Sequence, residues 1–210
     1  MQIRRYLIPS LALFIATSAQ ATDPQDLPEF TSTRPDDWLN SAPLSVAELR
    51  GRVLLLDVWT YGCWNCYRSF PWIKELEARL ATQPFQVIGI HSPEFEHERD
   101  RERVKDKIEA FGLDHPVMVD NDLDYWRALR NRYWPAFYLV DKRGQIRYRH
   151  AGETHAGDAR ALAMEQQIRS LLAEGHGSLP KAAEPGSPKL DQQAWARRVR
   201  AALKMLPDRR

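Results

Sequence analysis

Apolar residues in this chain fall into short dense runs, separated by longer charged stretches where they recur every three or four positions. Val53–Trp59 reads Val-Leu-Leu-Leu-Asp-Val-Trp, and residues 85–90 form a second such run. Runs of this length predict strands buried on both faces. Between them, Trp64–Leu80 places Phe70, Ile73, Leu76 and Leu80 on one face of a helix. Residues 96–111 are highly charged, with a thin stripe of Val104, Ile108 and Phe111, and predict an exposed helix. A short extended piece at 116–119 and a further helix over 123–133 follow. Ala136–Val140 and 145–149 then flank Asp141-Lys142-Arg143-Gly144, a hairpin signal in which Gly144 is free to take positive φ. Residues 155–173 close the pattern as a helix. Strand–helix–strand–helix followed by hairpin–helix predicts an α/β domain, a central mixed β-sheet flanked by helices. No internal repeat is present.

The two ends have a different character. Residues 22–41 are polar and Pro-bearing and read as an extended lead-in. Before them, Arg4 and Arg5 precede an apolar run from Leu7 to Ala16, and Ala19-Gln20-Ala21 supplies small residues at a cleavage site. This is the pattern of a secretory signal peptide over residues 1–21, and the run is shorter than the roughly 20 apolar residues of a membrane span. The expected organisation is therefore a signal peptide (1–21), a single domain (22–174), and a linker with a C-terminal amphipathic helix (175–210). The mature protein is expected to be soluble and periplasmic or otherwise exported. In the last segment Trp195, Val199, Ala202, Leu203 and Leu206 recur at helical spacing among arginines and Lys204. It reads first as a terminal helix on its own domain, and alternatively as a surface for a membrane or partner.

Charge narrows the function little. Without Arg4 and Arg5, the 30 basic side chains balance the 28 acidic ones, which gives no reason to expect nucleic acid as a partner. Cysteine is more informative. The chain has only 2, Cys63 and Cys66, and a bridge across two residues closes too small a loop to be a useful staple. Zinc needs four ligands, and no second Cys pair exists, so no metal and no cofactor are expected. The pair lies between a predicted buried strand and a predicted helix. A thiolate at a helix N-terminus is stabilised by unpaired N–H groups and the macrodipole. Cys63 is then the expected nucleophile, and Cys66, one turn in, the thiol that resolves a mixed disulfide.

Around this motif the sequence resembles the thioredoxin superfamily. Asp57 stands six residues before Cys63, Pro71 five after Cys66, and Trp134-Pro135 precedes the late strand. The long stretch from Ile90 to Pro135 is similar to the insertion of TlpA/ResA-type exported proteins. Leu56-Asp57-Val58-Trp59-Thr60-Tyr61, His91-Ser92-Pro93-Glu94-Phe95 and Asn131-Arg132-Tyr133-Trp134-Pro135-Ala136 resemble the thioredoxin-like domains of DipZ-type proteins, over roughly Trp38 to Leu172. The resemblance implies a thioredoxin-like fold with an insertion between the second strand–helix unit and the cis-Pro loop. It implies an exported thiol–disulfide oxidoreductase acting on protein thiols and disulfides, with a separate CcdA/DsbD-like membrane electron donor and apocytochrome c as candidate partners. Asp57 is implied as the proton acceptor for Cys66, and Trp134 and Pro135 as a substrate-binding cis-proline loop. His91 and Glu94 follow the second strand, and read either as proton-transfer groups near the cysteines or as plain loop residues. The other histidines read as solvated, and Trp59, Tyr61 and Trp64 as packing or a docking rim.

Two rival functions bear on the same residues. A copper- or haem-handling chaperone of this fold would pair the cysteines with a distant histidine, His91 or His150, but has three residues between its cysteines rather than two. A thiol peroxidase would match Thr60 three residues before Cys63, yet Leu56 stands where its proline is expected. The direction of electron flow is open, since Trp64-Asn65 is neither of the familiar residue pairs within such a motif.

Overall fold

The computed structural model describes residues 25–175. The expected signal peptide (1–21) and nearly all of the expected linker and terminal helix (175–210) lie outside the described residues. In chain order the strands are β1 (Gln25–Asp26), β2 (Trp38–Leu39), β3 (Val53–Trp59), β4 (Phe85–His91), β5 (Val117–Val119), β6 (Ala136–Val140) and β7 (Gln145–Ala151). The helices are α1 (Val46–Leu49), α2 (Trp64–Leu80), α3 (Arg101–Phe111), α4 (Asp124–Ala128) and α5 (Ala159–Ala173). The strands make one seven-stranded sheet in the order β1-β7-β6-β3-β4-β5-β2. Strand β3 runs parallel to β4 and antiparallel to β6, so the sheet is mixed, as the element pattern predicts.

All seven residues of β3 are buried, because both faces of the sheet are covered. Strand alternation divides them between two cores. Val53, Leu55 and Trp59 join Phe70, Ile73 and Leu76 of α2, Val104 and Ile108 of α3, and Met164 and Ile168 of α5. Leu54, Leu56 and Val58 face the opposite side, with Val46 and Leu49 of α1, Tyr125 of α4, and Leu27, Phe30 and Trp38. Asp57 falls by this alternation on the α2 side. Gly144 has φ +82° at the β6–β7 turn, where the Asp141 carboxylate accepts from the N–H groups of Arg143 (2.9 Å) and Gln145 (3.1 Å).

Several expectations need correction. The lead-in is not merely extended: it crosses one face of the sheet and supplies both edge strands, β1 on β7 and β2 on β5. Its Phe30 packs between Trp38 and Tyr125, with ring centroids 5.2 Å apart in each case. The single helix expected over 96–111 is two pieces, a 3₁₀ turn (Glu96–Arg99) and α3. Asp100 divides them by capping α3, accepting from the N–H groups of Glu102 and Arg103. The helix expected over 123–133 shrinks to α4, because Arg130 takes φ +53° and Asn131 folds back to bond the Tyr133 carbonyl. The helix expected over 155–173 begins only at Ala159, where Asp158 accepts from Ala161 N–H. His115, expected to be solvated, is buried. The insertion before the cis-Pro loop thus holds the 3₁₀ turn, α3, β5 and α4.

Candidate redox site

Residues 60–62 leave the end of β3 and deliver Cys63 to the mouth of α2. Cys63 is the N-cap residue, and its Sγ accepts from the Cys66 N–H at 3.2 Å. The two cysteines form a disulfide, with their Cα atoms 5.3 Å apart. Their environments differ: Cys63 is partly exposed, while Cys66 is buried against Trp59 and Phe70. The residues between them, Trp64 and Asn65, face solvent, and Trp64 stacks on Tyr67 at 5.2 Å. Pro71 lies within α2, one turn beyond the cysteines.

The loop ahead of Cys63 rests on an acid that the sequence pattern conceals. Glu98 is fully buried, and its carboxylate accepts from the N–H groups of Gly62 (2.9 Å), Glu94 (2.7 Å) and Phe95 (3.0 Å). Burial alone would raise its pKa, but those N–H groups and the Thr60 hydroxyl outweigh it and leave the carboxyl below its ordinary range. Gly62 is required at this contact, since a Cβ there would overlap Glu98 Oε1. Glu94 itself is exposed and contributes a backbone N–H rather than its carboxylate.

His91 ends β4 and is fully buried. Its Nε2 lies 3.4 Å from both Thr60 Oγ1 and the Tyr61 N–H, and its ring stacks on Tyr61. Burial depresses its pKa to about 4, with Glu98 opposing. A neutral ring of this kind supports the loop in front of Cys63.

The Trp134–Pro135 bond is cis. Ala136 pairs with Val58, so Pro135 lies beside the strand end from which the Cys63 loop departs. Trp134 is held by its Nε1–H on the Ser92 carbonyl (2.9 Å) and by stacking on Trp126 at 4.1 Å. Ser92 in turn donates to Asp120 at 3.0 Å. Exposed Phe95 and Tyr133 flank these segments, as Trp64 and Tyr67 flank the cysteines.

Asp57 is buried on β3, and neither carboxylate oxygen has a hydrogen-bond partner among the described residues. Desolvation pushes its pKa up to about 7; His115 lowers it and Glu77 raises it. His115 Nδ1 meets Glu77 Oε2 at 3.1 Å, linking a buried imidazole to a carboxylate that is 27% exposed. Among the described residues, no three His, Cys, Asp or Glu side chains are grouped to hold a metal ion. His150 bonds Gln167 Oε1 at 2.7 Å on β7. Glu98, His115 and Glu77 escaped the sequence reading, since each lies in a charged or polar stretch with no local mark of burial.

A disulfide at a strand-to-helix junction, with a buried acid on the strand and a cis-proline before the antiparallel neighbour, is the arrangement of a thioredoxin-like fold carrying a Cys-x-x-Cys pair. The chain belongs to the Redoxin family, whose model matches residues 21–165. It is similar to protein DipZ of Mycobacterium tuberculosis (34% identity over 176 residues, 79% of this chain and 25% of DipZ). It is similar also to the thiol-disulfide oxidoreductase YkuV of Bacillus subtilis (28% over 150 residues, 71% of this chain and 96% of YkuV). Among solved structures, a thiol-disulfide isomerase from Corynebacterium glutamicum superposes with TM-score 0.60 at 26% identity, covering 71% of this chain and 98% of that one. The chain spans a quarter or less of the length of the long relatives it matches, DipZ among them. Among the described residues, no helix is long and apolar enough to cross a membrane.

Proposed function

We propose that this protein exchanges disulfides with exported proteins, Cys63 acting as nucleophile, Cys66 as resolving thiol and Asp57 as proton acceptor. The observation that carries the reading is the asymmetry of the pair. Cys63 is partly exposed at a helix mouth, whereas Cys66 is buried on the same side of the sheet as an unpaired acid. In the reducing direction the Cys63 thiolate attacks a partner disulfide, and the released partner sulfur carries away the electron pair. Cys66 then gives its proton to Asp57 and attacks Cys63 Sγ. The Cys63–partner bond breaks, and the second partner thiolate leaves. The oxidising direction is the reverse. Asp57 suits the role because its pKa, raised to about 7, leaves it able to take and return a proton near neutrality.

Trp134 and the cis-Pro135 loop, with exposed Trp64, Phe95 and Tyr133 around them, form the surface on which partner chains dock. Export rests on the Arg4-Arg5, apolar run and Ala19-Gln20-Ala21 pattern. Protein thiols are the substrate class, as for the ResA- and DsbE-type homologues, and a CcdA/DsbD-like membrane protein is the electron donor that the resemblance around Cys63 and Cys66 implies. Trapping tests the assignment. Cys66→Ser is expected to accumulate mixed disulfides on Cys63 with exported proteins, and Cys63→Ser to accumulate none. Equal trapping by both variants overturns the ordered roles.

A further inference from the structure

Two buried polar groups, Trp59 Nε1 and His115 Nε2, lie on the same side of the sheet as Asp57, near Gly89. Asp57 on β3 is in register with Gly89 on β4, and residue 89 has no side chain to occupy the space between them. A Cβ there would stand 3.0 Å from Trp59 Nε1 and from Val117 Cγ2 and 3.4 Å from His115 Nε2, so both polar atoms close in over the bare Cα of Gly89. Trp59 Nε1, His115 Nε2 and both Asp57 oxygens are buried and have no hydrogen-bond partner among the described residues. Buried polar groups are rarely left so, and a group of two to four of them is what an internal water requires.

The second half of the arrangement lies on the other side of the imidazole. A carboxylate only accepts, so Glu77 Oε2 at 3.1 Å draws the proton of neutral His115 onto Nδ1. Nε2 then faces Gly89 as an acceptor. Asn40 Nδ2 fixes the backbone beneath the ring by donating to the carbonyls of Leu113 (2.8 Å) and His115 (3.0 Å). The charged groups set against His115 include Asp57 of β3 and Glu77 of α2, and Asp114 precedes it in the chain. Beyond Glu77 stand Arg52, which lines the same surface depression, and Lys74, whose Nζ bonds the Phe111 carbonyl. His115 itself is fully covered.

We propose that a water held among Trp59 Nε1, His115 Nε2 and the Asp57 carboxylate joins Asp57 to His115, and that His115 and Glu77 form the path by which the proton taken from Cys66 reaches solvent. The proposal rests on Asp57 being the proton acceptor. When Cys66 attacks Cys63 Sγ, its proton passes to Asp57. The water takes the Asp57 proton and gives one of its own to His115 Nε2. The imidazole releases its Nδ1 proton to Glu77, which returns it to bulk water; Asp57 is left as the carboxylate it began as, and His115 as the Nε2–H tautomer, which must turn back before the next cycle. Trp59 Nε1–H orients the water by donating to it. Protons thus leave at the far flank of α2, and the docking surface can stay covered by a partner throughout. His115 is a positioning and relay residue: it acts through Asp57 and touches neither sulfur.

The test uses the reduced full chain and a dithiobis(nitrobenzoate) probe under single-turnover conditions. Attack by Cys63 releases the first coloured thiolate, and resolution by Cys66 the second. His115→Gln is expected to leave the first release unchanged and slow the second about tenfold near neutral pH, the low end for a lost proton-transfer group. The deficit should shrink at high pH, where hydroxide takes the Cys66 proton without the relay; a merely structural defect would persist there. Gly89→Ala, whose methyl crowds Trp59 Nε1 and removes no titrating group, should slow the same step in the folded variant. Asp57→Asn combined with His115→Gln should be no slower than Asp57→Asn alone. Wild-type resolution in folded His115→Gln overturns the relay, as does an additive loss in the double variant. Wild-type resolution in Asp57→Asn would instead overturn the role of Asp57 itself.

Discussion

Two fully buried groups, Asp57 and His91, are shifted strongly between pH 4 and 7, and they oppose each other. Asp57 has an ordinary pKa of 3.8 that burial raises to about 7. Between those values the unfolded chain has released its proton and the native state has not, so Asp57 costs stability progressively as pH rises from 3.8 to about 7. His91 is depressed from 6.5 to about 4 by burial. There the unfolded chain binds the proton first, so stability is lost as pH falls from 6.5 to about 4. Each shift spans about 3 units, on the order of 4 kcal/mol at roughly 1.4 kcal/mol per unit. The wild type is therefore expected to show a nearly flat stability curve across this window. Asp57→Asn removes one side of the balance. It should be more stable than wild type at neutral pH and should weaken steadily on acidification below pH 6.5. Urea titrations at half-unit pH steps check this; a flat curve in Asp57→Asn would show that His91 does not titrate as its burial requires. At this scale the sequence was generous. Cys63, Cys66 and Asp57 were legible because an acid in an apolar run and a thiol pair at a strand–helix junction are local patterns. His115 was not, because its burial comes from distant Glu77 and Asn40.

At the level of the element, the decisive piece is the join between the loop before α2 and the turn after β4. Glu98 holds Gly62, Glu94 and Phe95 by three backbone N–H groups, and no other carboxylate replaces it there. Glu98→Ala leaves all three donors short of a partner. At about 1–3 kcal/mol per buried unsatisfied group, relieved in part by entering water, the expected loss is about 2–4 kcal/mol. Glu98→Gln keeps one acceptor and should lose less. Denaturant melts give the stabilities, and exchange rates at low temperature should fall in both variants, because Cys63 is no longer presented by a fixed loop. Unchanged stability in Glu98→Ala would mean that Glu98 is dispensable to the loop. Gly62→Ala should behave like Glu98→Ala, since a Cβ would displace the carboxylate. None of this was visible in Glu-His-Glu-Arg-Asp-Arg-Glu-Arg. A charged run reads as one solvated helix, and which acid turns inward depends on what packs above it. The strands and α2 were readable because their burial pattern is periodic; α4 was overextended because the left-handed turn at Arg130 carries no Gly or Pro to announce it.

For the whole molecule, the lead-in was the part least legible in advance. Leu27, Phe30 and Trp38 follow no helical or strand period, yet they cover one face of the sheet, Leu39 reaches the other core, and the two short strands of the segment cap both edges. Trp38 is 3% exposed, packs edge-on against Phe30, and bonds the Ser32 carbonyl through Nε1 at 2.9 Å. Trp38→Ala is expected to cost about 3–5 kcal/mol, the range for emptying a large aromatic site. Below its melting point the variant should exchange disulfides at the wild-type rate, because Trp38 belongs to the core opposite Cys66. Melting curves paired with the single-turnover assay separate the two effects. Loss of exchange in the still-folded variant would show that the two faces are coupled.

The same threading dictates an order of assembly. Gln25 has no pairing partner until Ile146 has been made, and central β3 must wait for β6 to cover its second edge. A chain emerging from its N-terminus can complete the β3–α2–β4 unit early. Its opening segment, by contrast, stays without a seat until nearly the whole domain exists. Long-range closures of this kind are slow. The first residues of the domain are thus among the last to settle, and the cysteines are in place before the sheet around them is closed.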